Sequence, residues 1–175
     1  MAYTDVDKPT DFFHTVLYTG NGSAKNLTGF GFQPDLTWIK PRSVVDNHIL
    51  YDSVRGVTKV IKPNLTTADQ TVTDMVTSFN SDGVSLGTNG NVTANNVTFV
   101  GWNWKGGGTA SANTNGSINS SVSANPTAGF SIVSYTGTGS NATVGHGLST
   151  IPKMIIFKNR PGTNSWRVGH EGIDW

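Results

Sequence analysis

The chain carries one stretch of sequence twice. Tyr18-Thr-Gly-Asn-Gly-Ser23 returns as Tyr135-Thr-Gly-Thr-Gly-Ser140, and Leu36-Thr-Trp-Ile-Lys-Pro-Arg42 is echoed by Met154-Ile-Ile-Phe-Lys-Asn-Arg160. The two tyrosines are 117 residues apart, which is the spacing of whole domains and much longer than a solenoid repeat. A long segment follows the first copy, whereas the second copy lies close to residue 175. We therefore expect one complete unit followed by a partial one.

The composition predicts an all-β chain. Gly, Asn, Ser and Thr dominate the 175 residues, while the helix formers Leu, Glu and Lys are scarce. Gly and Asn supply the positive-φ positions of turns, and Thr favours pleated strands. We expect short strands that are joined by many turns.

Charge and cysteine content exclude several function classes. The absence of cysteine excludes disulfides, thiolate metal sites and a cysteine nucleophile. The net charge of +1 gives no electrostatic footprint for nucleic acid, and the densest basic cluster is only Arg55, Lys59 and Lys62. No apolar run approaches the roughly 20 residues that span a bilayer, so no membrane insertion is expected. The N-terminus lacks a secretory signal, which predicts synthesis in a cytoplasm.

The sequence predicts four strands that are bounded by turn residues. They are Thr15–Thr19, Leu36–Lys40, Asn47–Tyr51 and Val97–Trp104. Pro41 should end the second of these, because proline cannot sit in a central ladder. The last of them carries apolar groups on both faces, which suits a strand inside a sandwich.

Residues 66–79 allow two interpretations. A capping box at Thr67–Gln70 and apolar residues at helical spacing would suit a helical turn near residues 67–74. The β-rich arms Val76–Phe79 and Val84–Gly87 instead flank Asn80-Ser-Asp-Gly83, which suits a four-residue hairpin loop. We favour the hairpin because the surrounding sequence is also β-rich.

Residues 108–127 form a segment rich in Gly, Asn and Ser with few apolar side chains. Such a segment cannot bury enough surface to fold alone, so it predicts a linker, or a ribbon that lies on a partner. The strands resume at Phe130–Tyr135 and Lys153–Asn159 in the second copy. These two need strand partners, and we expect them from a neighbouring subunit or from sequence outside this chain.

No constellation of residues predicts catalysis. There is no nucleophile signature and no paired carboxylates that stand out as acid and nucleophile. The four histidines lack the spacing of a helical zinc motif, although a metal site assembled from separate loops is left open. They are His14, His48, His146 and His170. We predict no enzyme and no cofactor.

The five tryptophans allow the interpretation that some of them form a platform on which sugar rings stack. Trp38, Trp102 and Trp104 fall on strands, where large aromatic side chains more often fill the core. Trp166 and Trp175 belong to the partial copy and should be exposed unless another part or subunit covers them, and Trp166 is the better interface candidate. The candidate ligand or interface residues are Trp102, Trp104, Trp166 and His146.

Several motifs in combination resemble a known type of domain. They are Val16-Leu-Tyr-Thr-Gly-Asn-Gly-Ser23, Leu50-Tyr-Asp-Ser-Val-Arg-Gly56, Ser78-Phe-Asn-Ser-Asp-Gly83 and Trp102-Asn-Trp-Lys-Gly-Gly107. Together they resemble a domain of uncharacterised function that occurs, often in tandem, in tail-fibre or receptor-binding-type virion proteins of marine bacteriophages. The resemblance covers about Thr10 to Trp175 and carries over no catalytic residue.

The resemblance implies a jelly-roll-like antiparallel β-sandwich in a phage appendage. Residues 1–9 are then an N-terminal tail, 10–107 the sandwich domain, 108–127 the linker and 128–175 a second, incomplete β repeat. The expected role is structural, in a tail-fibre or tail-attached module for virion attachment and host adhesion. The implied partners are copies of the chain in a homotrimer and other tail proteins, and the implied location is the virion after synthesis in the bacterial cytoplasm.

Three other functions remain open on the sequence. The chain could be a glycan-binding receptor-recognition module that reads host-surface glycans with exposed aromatic side chains. It could be a capsid decoration protein of the same virion. A depolymerase-type hydrolase is the weakest of the three, because no catalytic pair stands out.

Overall fold

A computed structural model of the chain describes residues 6–173, and it is almost entirely β, as predicted. The helical elements are a 3-10 turn at Pro9–Asp11 and the one-turn helix α1 at Gly90–Thr93. Within residues 6–173 no helix has the length and apolar character needed to cross a bilayer. The strands are β1 (Phe13–Thr19), β2 (Lys25–Thr28), β3 (Leu36–Pro41), β4 (Ile49–Asp52), β5 (Lys59–Val60), β6 (Gln70–Thr71), β7 (Val76–Asn80), β8 (Gly83–Leu86), β9 (Thr98–Trp104), β10 (Ser111–Asn113), β11 (Ser120–Asn125), β12 (Phe130–Tyr135), β13 (Met154–Phe157) and β14 (Arg167–His170).

The first repeat is an antiparallel β-sandwich, as predicted. One sheet has the strand order β1-β9-β3-β4 and the other has the order β2-β8-β7. Their facing side chains form a single apolar core, whose members come from both sheets and from α1. The largest fully buried side chains of that core are Tyr51, Phe99, Ile39, Ile49 and Leu86.

Strand alternation determines which side chains of β1 and β9 reach the core. Tyr18 lies directly opposite Phe99, and their rings stack with centroids 5.0 Å apart. The hydroxyl of Tyr18 donates a hydrogen bond to the carbonyl oxygen of Val92 at 2.9 Å, so this buried polar group is satisfied. Burial raises the pKa of Tyr18 far above its usual value, because the low-dielectric core disfavours the phenolate.

The hairpin interpretation of residues 76–87 is confirmed. β7 and β8 pair directly, and their turn has two residues, because Asn80 and Gly83 belong to the strands. Gly83 has a φ of +148°, and a Cβ there would lie 1.9 Å from the carbonyl oxygen of Leu27. Residues 67–74 form no helical turn; Gln70 and Thr71 pair with β5 instead.

The second repeat contains two small antiparallel sheets. One has the order β10-β11-β12 and the other is the pair β13-β14. β10 and β11 lie within residues 108–127, where the sequence predicts a linker, so that segment is folded as part of the second repeat. The domain boundaries themselves stay a prediction.

The expected source of strand partners is also corrected. β12 pairs with β11, and β13 pairs with β14, so each of them obtains one neighbour from this chain. The sequence does not predict β11, because the side chains of this strand are mostly small and polar. Its burial comes from tertiary contacts: Val122 and Ser123 are buried, and the Ser123 hydroxyl accepts a hydrogen bond from the Gly107 amide at 2.9 Å.

The two repeats contact each other through the segment that follows β9. The amides of Gly106 and Gly108 donate to the Oδ2 atom of Asp35 at 2.8 and 3.1 Å. Asp35 is only 1% exposed, so a carboxylate buried in the first repeat anchors the start of the second. Next to it, the rings of Trp104 and Phe130 stack with centroids 6.4 Å apart.

Candidate functional site

An aromatic strip lies on the outer face of the β1-β9-β3-β4 sheet. We define it by Phe13, Trp38, His48, Trp102 and Trp104. Trp38 and Trp102 are directly opposite each other on β3 and β9, and their rings meet edge to face with centroids 6.0 Å apart. Phe13 packs against Trp104 with centroids 5.0 Å apart.

His48 joins the aromatic strip through a hydrogen bond. The indole N–H of Trp38 donates to the Nδ1 atom of His48 at 2.9 Å, which requires that nitrogen to be unprotonated. Burial and then the positive charge of Lys40 lower the pKa of His48 below its usual value. The imidazole is therefore held neutral around pH 7, where it serves as an acceptor.

The sequence predicts that the three tryptophans on strands fill the core, and this prediction is wrong. Trp38, Trp102 and Trp104 are half-buried on the outer face. On β9 the core positions belong to the alternating residues Phe99 and Gly101, because successive side chains of a strand point to opposite faces. Trp102 and Trp104 are thus partly exposed and stay candidate ligand or interface residues, although Trp104 also packs against Phe13 and Phe130.

Trp166 lies at the junction of the two repeats. Its indole N–H donates to the carbonyl oxygen of Leu65 at 3.0 Å, so the first repeat partly covers it. Nearby, the guanidinium of Arg160 binds the Asp69 carboxylate at 2.9 Å and donates to the Ser134 hydroxyl at 3.2 Å. Trp166 therefore belongs to an interface within the chain. Trp175 lies outside the described residues.

His146 takes part in local structure of the second repeat. Its Nδ1 atom accepts the amide N–H of Leu148 at 3.1 Å, and its carbonyl oxygen accepts the hydroxyl of Ser131 at 2.5 Å. These bonds hold the loop that carries His146 against β12. Among residues 6–173 no three His, Asp or Glu side chains come together to hold a metal ion.

The second repeat exposes large apolar side chains on its strands. We define the second-repeat apolar surface by Met154, Ile156 and Val168, which share one face of the β13-β14 sheet and are 49–53% exposed. Tyr135 on β12 and Phe157 on the opposite face of β13 are also exposed, by 44% and 40%. Their counterparts in the first copy of the motif are more enclosed: Tyr18, which corresponds to Tyr135, is 9% exposed, and Ile39, which corresponds to Phe157, is fully buried. The sequence predicts that these strands lack partners but not which side chains are left uncovered.

An open depression adjoins β12. It has a volume of about 620 Å³ and is lined mainly by hydroxyl-bearing side chains, among them Ser117, Ser121, Ser134, Tyr135 and Thr136. It has no acidic or basic side chain in its lining, so it offers hydrogen bonds to a neutral ligand but no group for acid–base catalysis near pH 7. Sequence reasoning missed it, because its hydroxyls come from two strands that the sequence does not pair.

Arg55, which belongs to the densest basic group of the sequence, is buried in an ion pair and adds no charge to the surface. Arg55 and Asp52 form an ion pair at 2.5 Å, with side chains only 5% and 6% exposed. The guanidinium also donates to the carbonyl oxygens of Lys59 and Leu50. Arg55 is therefore committed to the interior of the sandwich and cannot engage a phosphate.

One family comparison matches the chain over nearly its whole length. The model of a family described as a domain of unknown function, DUF7483, matches residues 8–175. The match spans both repeats in one continuous range. No curated protein and no solved structure matches the chain.

Proposed function

The chain belongs to the DUF7483 family, and we propose that it is a structural component of a bacteriophage virion. In this proposal it is a tail-fibre or tail-attached module that takes part in virion attachment and host adhesion. The resemblance of its motifs to domains of phage tail-fibre proteins supports the setting. The architecture supports the structural role, because its ordered features serve packing and strand pairing.

One observation carries the proposal: the second-repeat apolar surface. Contiguous exposed apolar patches mark sites of protein association. Fully burying an exposed side chain of this kind contributes about 1.5–3 kcal/mol. Met154, Ile156 and Val168 are already about half-buried, so covering each of them contributes roughly half of that before the entropic cost of association is subtracted. We propose that copies of the chain associate through this surface as a homotrimer, alongside other tail proteins.

Imaging of intact particles tests the setting. An antibody against the purified chain, applied to virions of the phage that encodes it, should label the tail or its fibres in electron micrographs. Label on the capsid shell would favour a decoration protein instead. Particles that carry no label, and whose protein content lacks the chain by mass spectrometry, would contradict a virion role altogether.

Glycan recognition is the second candidate function. The aromatic strip presents half-exposed rings that could stack on the apolar faces of sugars, and the hydroxyl-lined depression beside Tyr135 could bind their hydroxyl groups. A glycan array probed with the purified chain tests this, with Trp102→Ala and Tyr135→Ala as variants. Leu17→Ala is the matched control, because Leu17 is 62% exposed beside the aromatic strip on β1.

Binding that both site variants retain would exclude these two surfaces as glycan sites. Binding lost in only one variant, with its circular dichroism spectrum unchanged, would identify which surface binds. An array without any signal would leave the structural role as the function that the chain supports.

A further inference from the structure

In the first repeat, β9 joins β1 to β3. It runs antiparallel to both, with Phe13 and Leu36 on either side of Trp104. The amide of Lys105 donates to the carbonyl oxygen of Phe12, and the amide of Gly20 donates to that of Val97. Because hydrogen-bonded pairs alternate along an antiparallel ladder, the even-numbered residues of β1 direct their backbone groups towards β9.

The second copy of the motif reproduces the strands on both sides of β9. β12 corresponds to β1 at a shift of 117 residues, as Phe130 and Tyr135 correspond to Phe13 and Tyr18. The pair β13-β14 corresponds to β3-β4 at a shift of 118. Even the register is kept: Leu36 lies opposite Asp52, and Met154 lies opposite His170. No strand of residues 6–173 takes the place that β9 holds in the first repeat.

The edge of β12 that corresponds to the β9 side of β1 is open. Asn125 lies opposite Phe130, and Pro126, which follows, has no amide N–H. This pair must therefore be a hydrogen-bonded one, so Ile132 and Ser134 also direct their backbone groups towards β11. Ser131, Val133 and Tyr135 then direct theirs to the opposite edge, where the described residues supply no strand.

Among residues 6–173, no strand pairs with the corresponding edge of β13 either. The amide of Glu171 donates to the carbonyl oxygen of Lys153, in the same register as the β13-β14 ladder. Odd-numbered residues of β13 therefore pair with β14, and Met154 and Ile156 direct their backbone groups the other way. Unpaired edges of this kind are templates for an added strand.

We propose that a second β9-type strand, from outside residues 6–173, completes the second repeat by inserting antiparallel between β12 and β13. This inference rests on the proposed function in one respect, because both require the second repeat to be the surface through which the protein assembles. The donor is not β9 of a second copy, because its removal would open the first repeat of that copy. Strand addition of this kind supplies main-chain hydrogen bonds on both edges.

The first repeat specifies the chemistry of the donor strand. Gly101 is the residue of β9 that lies between Val16 and Ile39, and a Cβ there would approach the Cγ1 atom of Val16 to 3.1 Å. The corresponding residues are Val133 and Phe157, so a glycine is favoured at this position of the donor and a branched side chain is disfavoured. Large apolar residues beside it, equivalent to Val100 and Trp102, would cover Ile156 and its neighbours.

A synthetic peptide tests the inference with the 175-residue chain. The probe is the sequence of Val97–Trp104 flanked by lysines for solubility, and its binding is followed by fluorescence anisotropy. The matched control is the same peptide with Gly101→Val, which should bind at least tenfold more weakly. On binding, hydrogen exchange should slow at the amides of Val133 and Ile156 while that of Val16 stays unchanged.

Two chain variants test the edges separately. Val133→Pro and Ile156→Pro each remove an amide that faces an open edge, and proline is tolerated on edge strands. Both variants should therefore keep the circular dichroism spectrum of the native chain while peptide affinity falls at least tenfold. Val16→Pro is the control in the first repeat, where β9 occupies the edge, and it should unfold the sandwich.

The outcomes separate this inference from the proposed function. No peptide binding at millimolar concentration, equal binding of the Gly101→Val peptide, or full affinity in both proline variants would overturn the strand site. If the chain still associates with itself in that case, the proposed function stands without it. Peptide binding to a chain that stays monomeric would support the strand site and contradict self-association.

Discussion

Tyr18 and Tyr135 occupy equivalent positions in the two copies of the motif, but the first is buried and the second is exposed. Tyr18 is 9% exposed and donates to the Val92 carbonyl, whereas Tyr135 is 44% exposed. The difference comes from β9 and α1, which belong to the first repeat alone. A repeated motif therefore predicts the local strand and turn, but the burial of its residues depends on which distant segments are present.

Asp82 illustrates a residue whose role depends on backbone geometry. Its carboxylate accepts the amides of Gly29 and Gly31 at 3.0 and 2.7 Å, and these bonds lower its pKa below the usual value. A lowered pKa means that the contribution to stability is complete above about pH 4, the ordinary value for Asp, and is lost as the pH falls through the folded-state pKa. We expect Asp82→Asn to be less stable than the native chain at pH 7, with the difference shrinking below pH 4.

Urea unfolding of both proteins at pH 7 and at pH 2.5 measures this difference directly. Asp11→Asn is the control, because Asp11 lies in an exposed ion pair with Lys8. A difference between the native chain and Asp82→Asn that stays constant over this range would show that the carboxylate charge is not what the two amides need.

The buried pair of Asp52 and Arg55 gives the largest effect expected from a single side chain. Arg55→Ala leaves the Asp52 carboxylate uncompensated inside the sandwich, which costs about 3–5 kcal/mol. The control Lys59→Ala removes a cation whose bond to the Thr71 hydroxyl is exposed, and should cost less than about 1 kcal/mol. Equal losses of unfolding free energy in the two variants would contradict a structural role for this pair.

At the scale of elements, runs of β-branched and aromatic residues bounded by turn residues predict β1, β3 and β9 well. In β3 the apolar residues lie on both faces, since Ile39 is in the core and Leu36 and Trp38 are on the outer face, so the run itself and not a period of two predicts the strand. β10 and β11 carry no such pattern, because Ser, Ala and Asn fill them. Their order depends on close backbone approach at glycines, which no local pattern reveals.

Gly107 provides the test of that close approach. A Cβ at Gly107 would lie 2.2 Å from the carbonyl oxygen of Ala124 on β11, and backbone atoms cannot yield as a flexible side chain does. We expect Gly107→Ala to cost about 2 kcal/mol or more of unfolding free energy and to loosen β10 and β11. Gly137→Ala is the control, since nothing lies within 4 Å of its added Cβ.

The exchange rates of individual backbone amides measure this loosening. The amides of β11 should exchange faster in Gly107→Ala, while those of β3 and β9 keep their native rates. Native exchange throughout the second repeat of this variant would mean that β11 does not depend on the contact.

At the scale of the whole molecule, the repeat predicts two units and an incomplete second one. It does not predict how they contact, because the anchoring groups come from residues distant in sequence. Asp35 binds Gly106 and Gly108, and Arg160 binds Asp69. The candidate residues Trp104 and Trp166 both lie along this junction, where Trp104 stacks on Phe130 and Trp166 donates to the Leu65 carbonyl.

Removing the buried carboxylate of Asp35 should weaken the contact between the two repeats without unfolding the first repeat. Asp35→Ala leaves the amides of Gly106 and Gly108 without their acceptor, at a cost of about 1–3 kcal/mol each if they stay buried. We expect faster proteolytic cleavage near residues 105–110 while the first repeat stays folded. Asp46→Ala is the control on an exposed loop, and cleavage at the native rate in Asp35→Ala would contradict the anchoring role.

Sedimentation velocity of the purified chain tests most directly whether the second repeat is an assembly surface. We expect concentration-dependent association towards a trimer, abolished by Ile156→Lys in the second-repeat apolar surface. Leu17→Lys should associate like the native chain, because Leu17 is exposed on the first repeat. A native chain that sediments as a monomer at every concentration up to the millimolar range would contradict an assembly role of the second repeat, as would equal loss of association in both variants.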